Sequence, residues 1–173
     1  MGAEGLLYVL SMPATPDDVF ARLQELGVET TTHRHPPVHT VEENKALRGD
    51  LGGGHCKNLF LKDKKGALWL VVTLEDKPID MKDLRRRIGA AHLSFGKADL
   101  LARVLGVEPG AVSPFALIND TDLRVRVVLD RRMMDGKALN YHPLDNGATT
   151  RIDPQGLLRF IGSCGHQPRI IEL

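Results

Sequence analysis

The sequence predicts an α/β fold of the α+β-like kind: a mixed, largely antiparallel sheet curled into a partial barrel, with helices packed outside. Three observations lead there. Strand-like and helix-like segments are interspersed without the regular alternation of a doubly wound fold. Two apolar segments are joined by Asp63-Lys64-Lys65-Gly66, a hairpin signal. The chain has 173 residues, 42% of them apolar, which suits one packed core and leaves little room for a second.

Taken in order, Thr15-Pro16-Asp17-Asp18 starts a helix: a capping hydroxyl, proline at the first position, then acids in the first turn. Val19, Leu23 and Leu26 follow at helical spacing and Gly27 stops the helix. A single domain therefore begins at Met12 and runs to residue 173, with residues 1–11 as an N-terminal extension. Val28 to His35 is β-branched and reads as a strand that His35-Pro36-Pro37 breaks. Thr40 to Leu47 reads as a short helix, with Thr40 and Glu43 placed for a capping box. Gly52-Gly53-Gly54 forms a loop into the strand His55 to Leu61, and Ala67 to Leu74 returns as its hairpin partner. Met81 to Ile88 is a basic helix, and Lys97 to Leu105 an amphipathic one. Ser113 to Ile118, Arg124 to Leu129 and Ala148 to Ile152 read as strands. Asp153-Pro154 caps a helix holding Leu157, Leu158 and Ile161, and Pro168 to Leu173 is a last strand.

Charge excludes some functions. The formal net charge is only +1, which argues against binding nucleic acid by bulk charge. The balance is uneven: residues 1–56 carry net −4, residues 57–103 net +5, and residues 104–173 net 0. No apolar stretch approaches the roughly 20 residues of a membrane-spanning helix, and Glu4 with no Lys or Arg near the N-terminus argues against a signal peptide. Cys56 and Cys164 form no CxxC pair and read as two reduced thiols in a cytoplasmic protein.

Few residues offer chemistry by pattern. His33, His35 and His39 lie close together, but no set of ligands completes a zinc site, and they read as surface or loop histidines. There is no GxSxG elbow, and the triple glycine lacks the lysine-serine ending of a phosphate loop. Lys57-Asn58 is the exception, because lysine and asparagine open an otherwise apolar strand, Leu59-Phe60-Leu61. On pattern alone three classes stay open: a hydrolase, a non-catalytic nucleic-acid-binding module, and a Schiff-base or metal enzyme using Lys57 or the early histidines.

Four motifs in order resemble one family. They are His35-Pro36-Pro37-Val38 with Thr40-Val41-Glu42-Glu43, Cys56-Lys57-Asn58-Leu59-Phe60-Leu61, Gly110-Ala111-Val112-Ser113-Pro114, and Leu139-Asn140-Tyr141-His142-Pro143. The chain resembles the YbaK/prolyl-tRNA synthetase-associated editing superfamily, and within it the free-standing prolyl-tRNA editing proteins that deacylate alanyl-tRNA(Pro). Residues 1–11 precede the usual family start, and His39 stands where an apolar or aromatic side chain is expected.

The resemblance implies a trans-editing hydrolase in the cytoplasm, with no cofactor and no metal. Its implied partners are the acceptor end of mischarged tRNA(Pro) and, transiently, prolyl-tRNA synthetase, with no membrane involved and a monomeric or weakly dimeric state. The implied catalytic residues are Lys57, which grips the terminal nucleotide, Asn58, His142, which positions the aminoacyl end or a water, and Gly110, whose loop holds the ester carbonyl. Implied pocket residues are Val38, Thr40, Ser113, Pro114 and Tyr141. Acceptor-stem phosphates fall to Lys45, Lys82, Arg85, Arg86 and Arg87. Alanine, cysteine and serine all remain open as the cleaved amino acid.

Overall fold

A computed structural model describes residues 12–37 and 52–173. The expected extension 1–11, the expected helix Thr40 to Leu47, and the candidates Val38, Thr40 and Lys45 lie outside the described residues.

Helix α1 (Pro16–Glu25) begins as its capping signal demands. The Thr15 hydroxyl accepts the Asp18 N–H at 3.3 Å, and the Asp18 carboxylate accepts the Thr15 N–H at 2.7 Å, satisfying two donors the helix start leaves open. Val19 and Leu23 form its buried stripe. The chain then enters β1 (Thr31–Arg34), shorter than the expected Val28 to His35.

Seven further strands complete the sheet: β2 (Gly54–Asp63), β3 (Leu68–Leu74), β4 (Leu93–Phe95), β5 (Val125–Asp130), β6 (Leu139–Tyr141), β7 (Ala148–Ile152) and β8 (Arg169–Ile171). Their order is β1-β7-β6-β2-β3-β5-β8, with β4 also on β2. The sheet is mixed, as expected. Among the described residues four pairings are antiparallel and three parallel, so the antiparallel majority is slim. Strand β2 is the hinge of the arrangement. It pairs with β3 from Cys56 to Lys62, while its other edge takes β6 at Gly54 and His55 and β4 from Leu61 to Asp63.

Both sheet faces are covered. Alternate residues of β2 and β3 divide between two clusters: Phe60, Leu68, Leu70 and Val72 face the larger core, while Leu61, Trp69 and Val71 face a smaller one. The larger core is closed by α1, by α3 (Ala98–Leu105) and by α5 (Pro154–Ser163). The smaller is closed by α2 (Met81–Ile88), whose Leu84 and Ile88 are buried. The run Leu68 to Thr73 is buried throughout because it has packing on both sides. A four-residue helix, α4 (Arg131–Met134), follows β5.

One expected strand is corrected. Ser113 to Ile118 is not extended: Pro114–Asn119 forms a 3-10 helix. The Ser113 hydroxyl accepts the Phe115 N–H at 3.2 Å and Pro114 occupies the first position, a helix start in miniature. Phe115, Ala116 and Leu117 are all fully buried, so the contiguous apolar run carries no alternation that separates strand from helix. Strands β4 and β6 are additions to the sequence-based reading.

Candidate active site

The candidate site lies where β2, β6 and β7 meet. A cavity of about 30 Å³ is lined by His55, Cys56 and Asn58 of β2, Asn140 and Tyr141 of β6, His142 just after β6, and Thr149 of β7. Its floor is anchored from below. The Asn140 side-chain amide donates to the carbonyls of Gly52 (3.1 Å) and Gly54 (3.2 Å), tying the glycine loop to β6. Gly53 has φ +97°, and a Cβ there would sit 2.9 Å from the Ala138 carbonyl oxygen, so this close approach requires glycine.

His142 is held on two sides. Its Nδ1 lies 2.7 Å from the Ala148 carbonyl, which only accepts, so Nδ1 carries the proton and Nε2 keeps a lone pair in the neutral ring. Its own carbonyl accepts the Ser113 hydroxyl at 2.7 Å and the Leu144 N–H at 3.0 Å. Leu144 adopts φ +67°, an uncommon conformation for a leucine, and this makes the tight turn possible. Burial lowers the His142 pKa below the ordinary imidazole value, against the raising effect of the Ala148 hydrogen bond. The ring is therefore a neutral acceptor at pH 7.

Asn58 presents the other polar group. Its Oδ1 is buried with no hydrogen-bond partner among the described residues. An unpaired buried acceptor costs about 1–3 kcal/mol, which a substrate donor would recover.

The structure does not bring the Lys57 and Asn58 side chains together. Register with β3 is unbroken, so adjacent residues project to opposite faces. Asn58 shares its face with Cys56 and Phe60; Lys57 shares its face with Leu59, Leu61 and helix α2. The Lys57 ammonium donates to the Lys77 carbonyl, in the segment leading into that helix.

The remaining candidates fall into three groups. Gly110 is exposed, in the 3-10 turn Pro109–Ala111, and a Cβ there would meet the Asn146 amide of the β6–β7 turn at 3.1 Å. Within its loop the Ala111 N–H is committed to the Glu108 carbonyl at 2.9 Å. Ser113 is a buried brace on the His142 carbonyl, Pro114 is buried beside it at the start of the 3-10 helix, and Tyr141 is pinned in the core with its hydroxyl donating to Met133 Sδ at 3.2 Å. Lys82, Arg85, Arg86 and Arg87 are exposed on α2. Asp83 pairs with Arg86 (2.8 Å) and Arg87 (2.7 Å), exposed contacts that hold these side chains only weakly. Lys82, Arg85, Arg86 and His92 border a groove of about 440 Å³.

Thiol chemistry does not fit this site. Burial pushes the Cys56 thiol up to about 11, so it is protonated at neutral pH. Sequence reasoning missed Thr149, and it placed His35 among loop histidines. His35 is half-buried, its ring centroid 6.0 Å from that of His142, with Nε2 2.8 Å from the Thr149 hydroxyl. The signal available in sequence was its place at the head of the His35-Pro36-Pro37 motif.

A half-buried neutral histidine, an amide oxygen unpaired among the described residues and a cavity for one small group define a site suited to positioning a small substrate and a water, with no thiolate nucleophile. The chain belongs to the aminoacyl-tRNA editing domain family, whose model matches residues 35–160. By that membership it is an aminoacyl-tRNA deacylase. It is 42% identical over 152 residues to prolyl-tRNA synthetase associated domain-containing protein 1 of Danio rerio, covering 87% of this chain and 83% of that protein. It is 38% identical over 156 residues to the prolyl-tRNA editing protein ProX of Acetoanaerobium sticklandii, covering 90% and 95%. The fold matches a crystal structure described as a candidate trans-editing enzyme for prolyl-tRNA synthetase, with a TM-score of 0.68 at 18% identity over 94% of this chain and 99% of that one. No helix among the described residues is long and apolar enough to cross a membrane.

Proposed function

We propose that this chain is a trans-editing hydrolase that removes the wrong amino acid from mischarged tRNA(Pro), with Ala-tRNA(Pro) as its substrate. The observation that carries this reading is the cavity of about 30 Å³ beside His142 and Asn58, in a chain of the editing family. A synthetase pocket shaped for proline rejects smaller amino acids poorly, because each missing methylene is worth only about 1–3 kcal/mol. A second, hydrolytic pocket that accepts a methyl and excludes a pyrrolidine ring discriminates by steric clash. The prolyl-tRNA editing protein of Acetoanaerobium sticklandii supports tRNA(Pro) as the substrate class.

In this reading Lys57 exchanges the Lys77 carbonyl for a phosphate or sugar oxygen of the terminal nucleotide. Asn58 Oδ1 accepts a donor from the aminoacyl end. Neutral His142 orients the attacking water through Nε2, with the ribose hydroxyl of the substrate as a helper. The Gly110 loop holds the ester carbonyl, and Val38 and Thr40 add to the pocket wall. Lys45 and the basic face of α2 hold the acceptor stem. The chain acts as one editing domain over 12–173 in the cytoplasm, alone or as a weak dimer, meeting prolyl-tRNA synthetase transiently.

The test is release of alanine from Ala-tRNA(Pro) by the purified chain and by Lys57→Ala. Hydrolysis that Lys57→Ala loses, with tRNA binding retained, supports the reading. Equal release in the presence and absence of the wild-type chain leaves only a tRNA-binding module.

A further inference from the structure

The first residues of β7 hold two histidines at once. The Gly147 carbonyl accepts the His35 N–H at 3.0 Å, the Ala148 carbonyl accepts His142 Nδ1–H at 2.7 Å, and the Thr149 hydroxyl meets His35 Nε2 at 2.8 Å. Three successive residues thus carry His35, His142 and His35 again. The order matters, because the residue whose carbonyl fixes the His142 ring lies between the two residues that His35 ties down.

His35 is itself fixed. Its Nδ1 lies 3.0 Å from the Pro36 carbonyl and must donate to it. In the neutral ring Nε2 is then an acceptor, and the Thr149 hydroxyl donates. Thr149 is buried, at 8% exposure, so this hydroxyl has little access to water as a substitute partner. His33, by contrast, is exposed in β1, where it sits opposite Thr149 in the strand register. Of the two described early histidines, His35 is the one bonded to a residue that lines the cavity.

We propose that His35 is a positioning residue for His142: through Gly147 and Thr149 it fixes the start of β7, whose Ala148 carbonyl holds His142 as the Nδ1-protonated tautomer. It touches no reacting atom and acts through the backbone between the two rings. The proximity has a second effect. The nearby His35 ring adds to the lowering of the His142 pKa that burial begins. Among the described residues, the charged groups that act on His142 are His35 from the segment after β1 and Asp145 on its own turn, whose charge acts in the opposite sense; His55 and Cys56 of β2 line the same cavity. This inference rests on the proposed function only for its kinetic arm.

The test uses the full chain with nitrogen-labelled histidine, read by long-range proton–nitrogen correlation. In the wild type His142 shows a single Nδ1-protonated tautomer. In His35→Ala and in Thr149→Val that signature averages between tautomers, and Thr149→Ser restores it. Where deacylation is measurable, Thr149→Val lowers kcat by about tenfold with KM little changed, a cost in the range known for small misplacements of a catalytic group. A His142 tautomer unchanged in both His35→Ala and Thr149→Val overturns the proposal; should His35→Ala fail to fold, the Val and Ser pair decides alone. The spectroscopic reading needs no substrate, so a chain without deacylase activity would overturn the proposed function and leave this inference to its own result.

Discussion

At the residue scale His142 is the most constrained group of the site. Its ring donates to Ala148, its carbonyl takes Ser113 and Leu144, and burial keeps it neutral. Its pKa in the folded chain lies below the unfolded value of 6.5. Between those two values the unfolded chain takes up the proton first, so stability falls as pH falls through that window. Urea unfolding at stepped pH should show this loss in the wild type and a smaller one in His142→Gln. The enzyme-dependent rate should follow the neutral ring, holding level to below pH 6.5 before it declines, and His142→Gln should lack that decline. Lys57 and Asn58 teach a different lesson. Sequence marks both as odd in an apolar strand, but strand alternation sends them to opposite faces, a consequence visible only once the unbroken β2–β3 register is known.

At the element scale the site depends on a short 3-10 helix that sequence reads as a strand. Ser113 begins that helix and also braces His142, so Ser113→Ala removes a donor from a buried carbonyl. It should cost about 1–2 kcal/mol in chemical denaturation and reduce deacylation as well. Thr15→Ala is the matching control: it removes the α1 capping box, should cost about 1 kcal/mol, and should leave kcat unchanged because α1 does not line the cavity. The helices were legible because their signals are local. Thr15-Pro16 and Asp153-Pro154 each place a capping oxygen where α1 and α5 begin, whereas the four-residue α4 was not read from the sequence. Strands β4 and β6 have three residues each and pair with β2, distant in sequence, β6 also with β7, so no local pattern announces them. His35 stayed hidden for the same reason: its partners, Gly147 and Thr149, are more than a hundred residues away.

At the scale of the whole molecule the sheet separates two tasks. One face and the β6–β7 edge hold the small cavity with Asn58 and His142. The other face carries Lys57 and the basic helix α2, which together supply +4 of the local excess of +5 inside a chain of net +1. A tRNA end gripped on one side and presented on the other would use both. Replacing Arg85, Arg86 and Arg87 together by alanine should raise KM for charged tRNA severalfold and flatten its salt dependence, with kcat nearly unchanged; a fall in kcat alone would place α2 in the chemistry instead. Size selection by the cavity is read by one panel: deacylation of tRNA(Pro) charged in turn with alanine, serine, cysteine and proline, with Lys57→Ala beside the wild type. Fast release of alanine, intact Pro-tRNA(Pro) and no release by Lys57→Ala are the expected results. Release of proline as fast as alanine would contradict size selection.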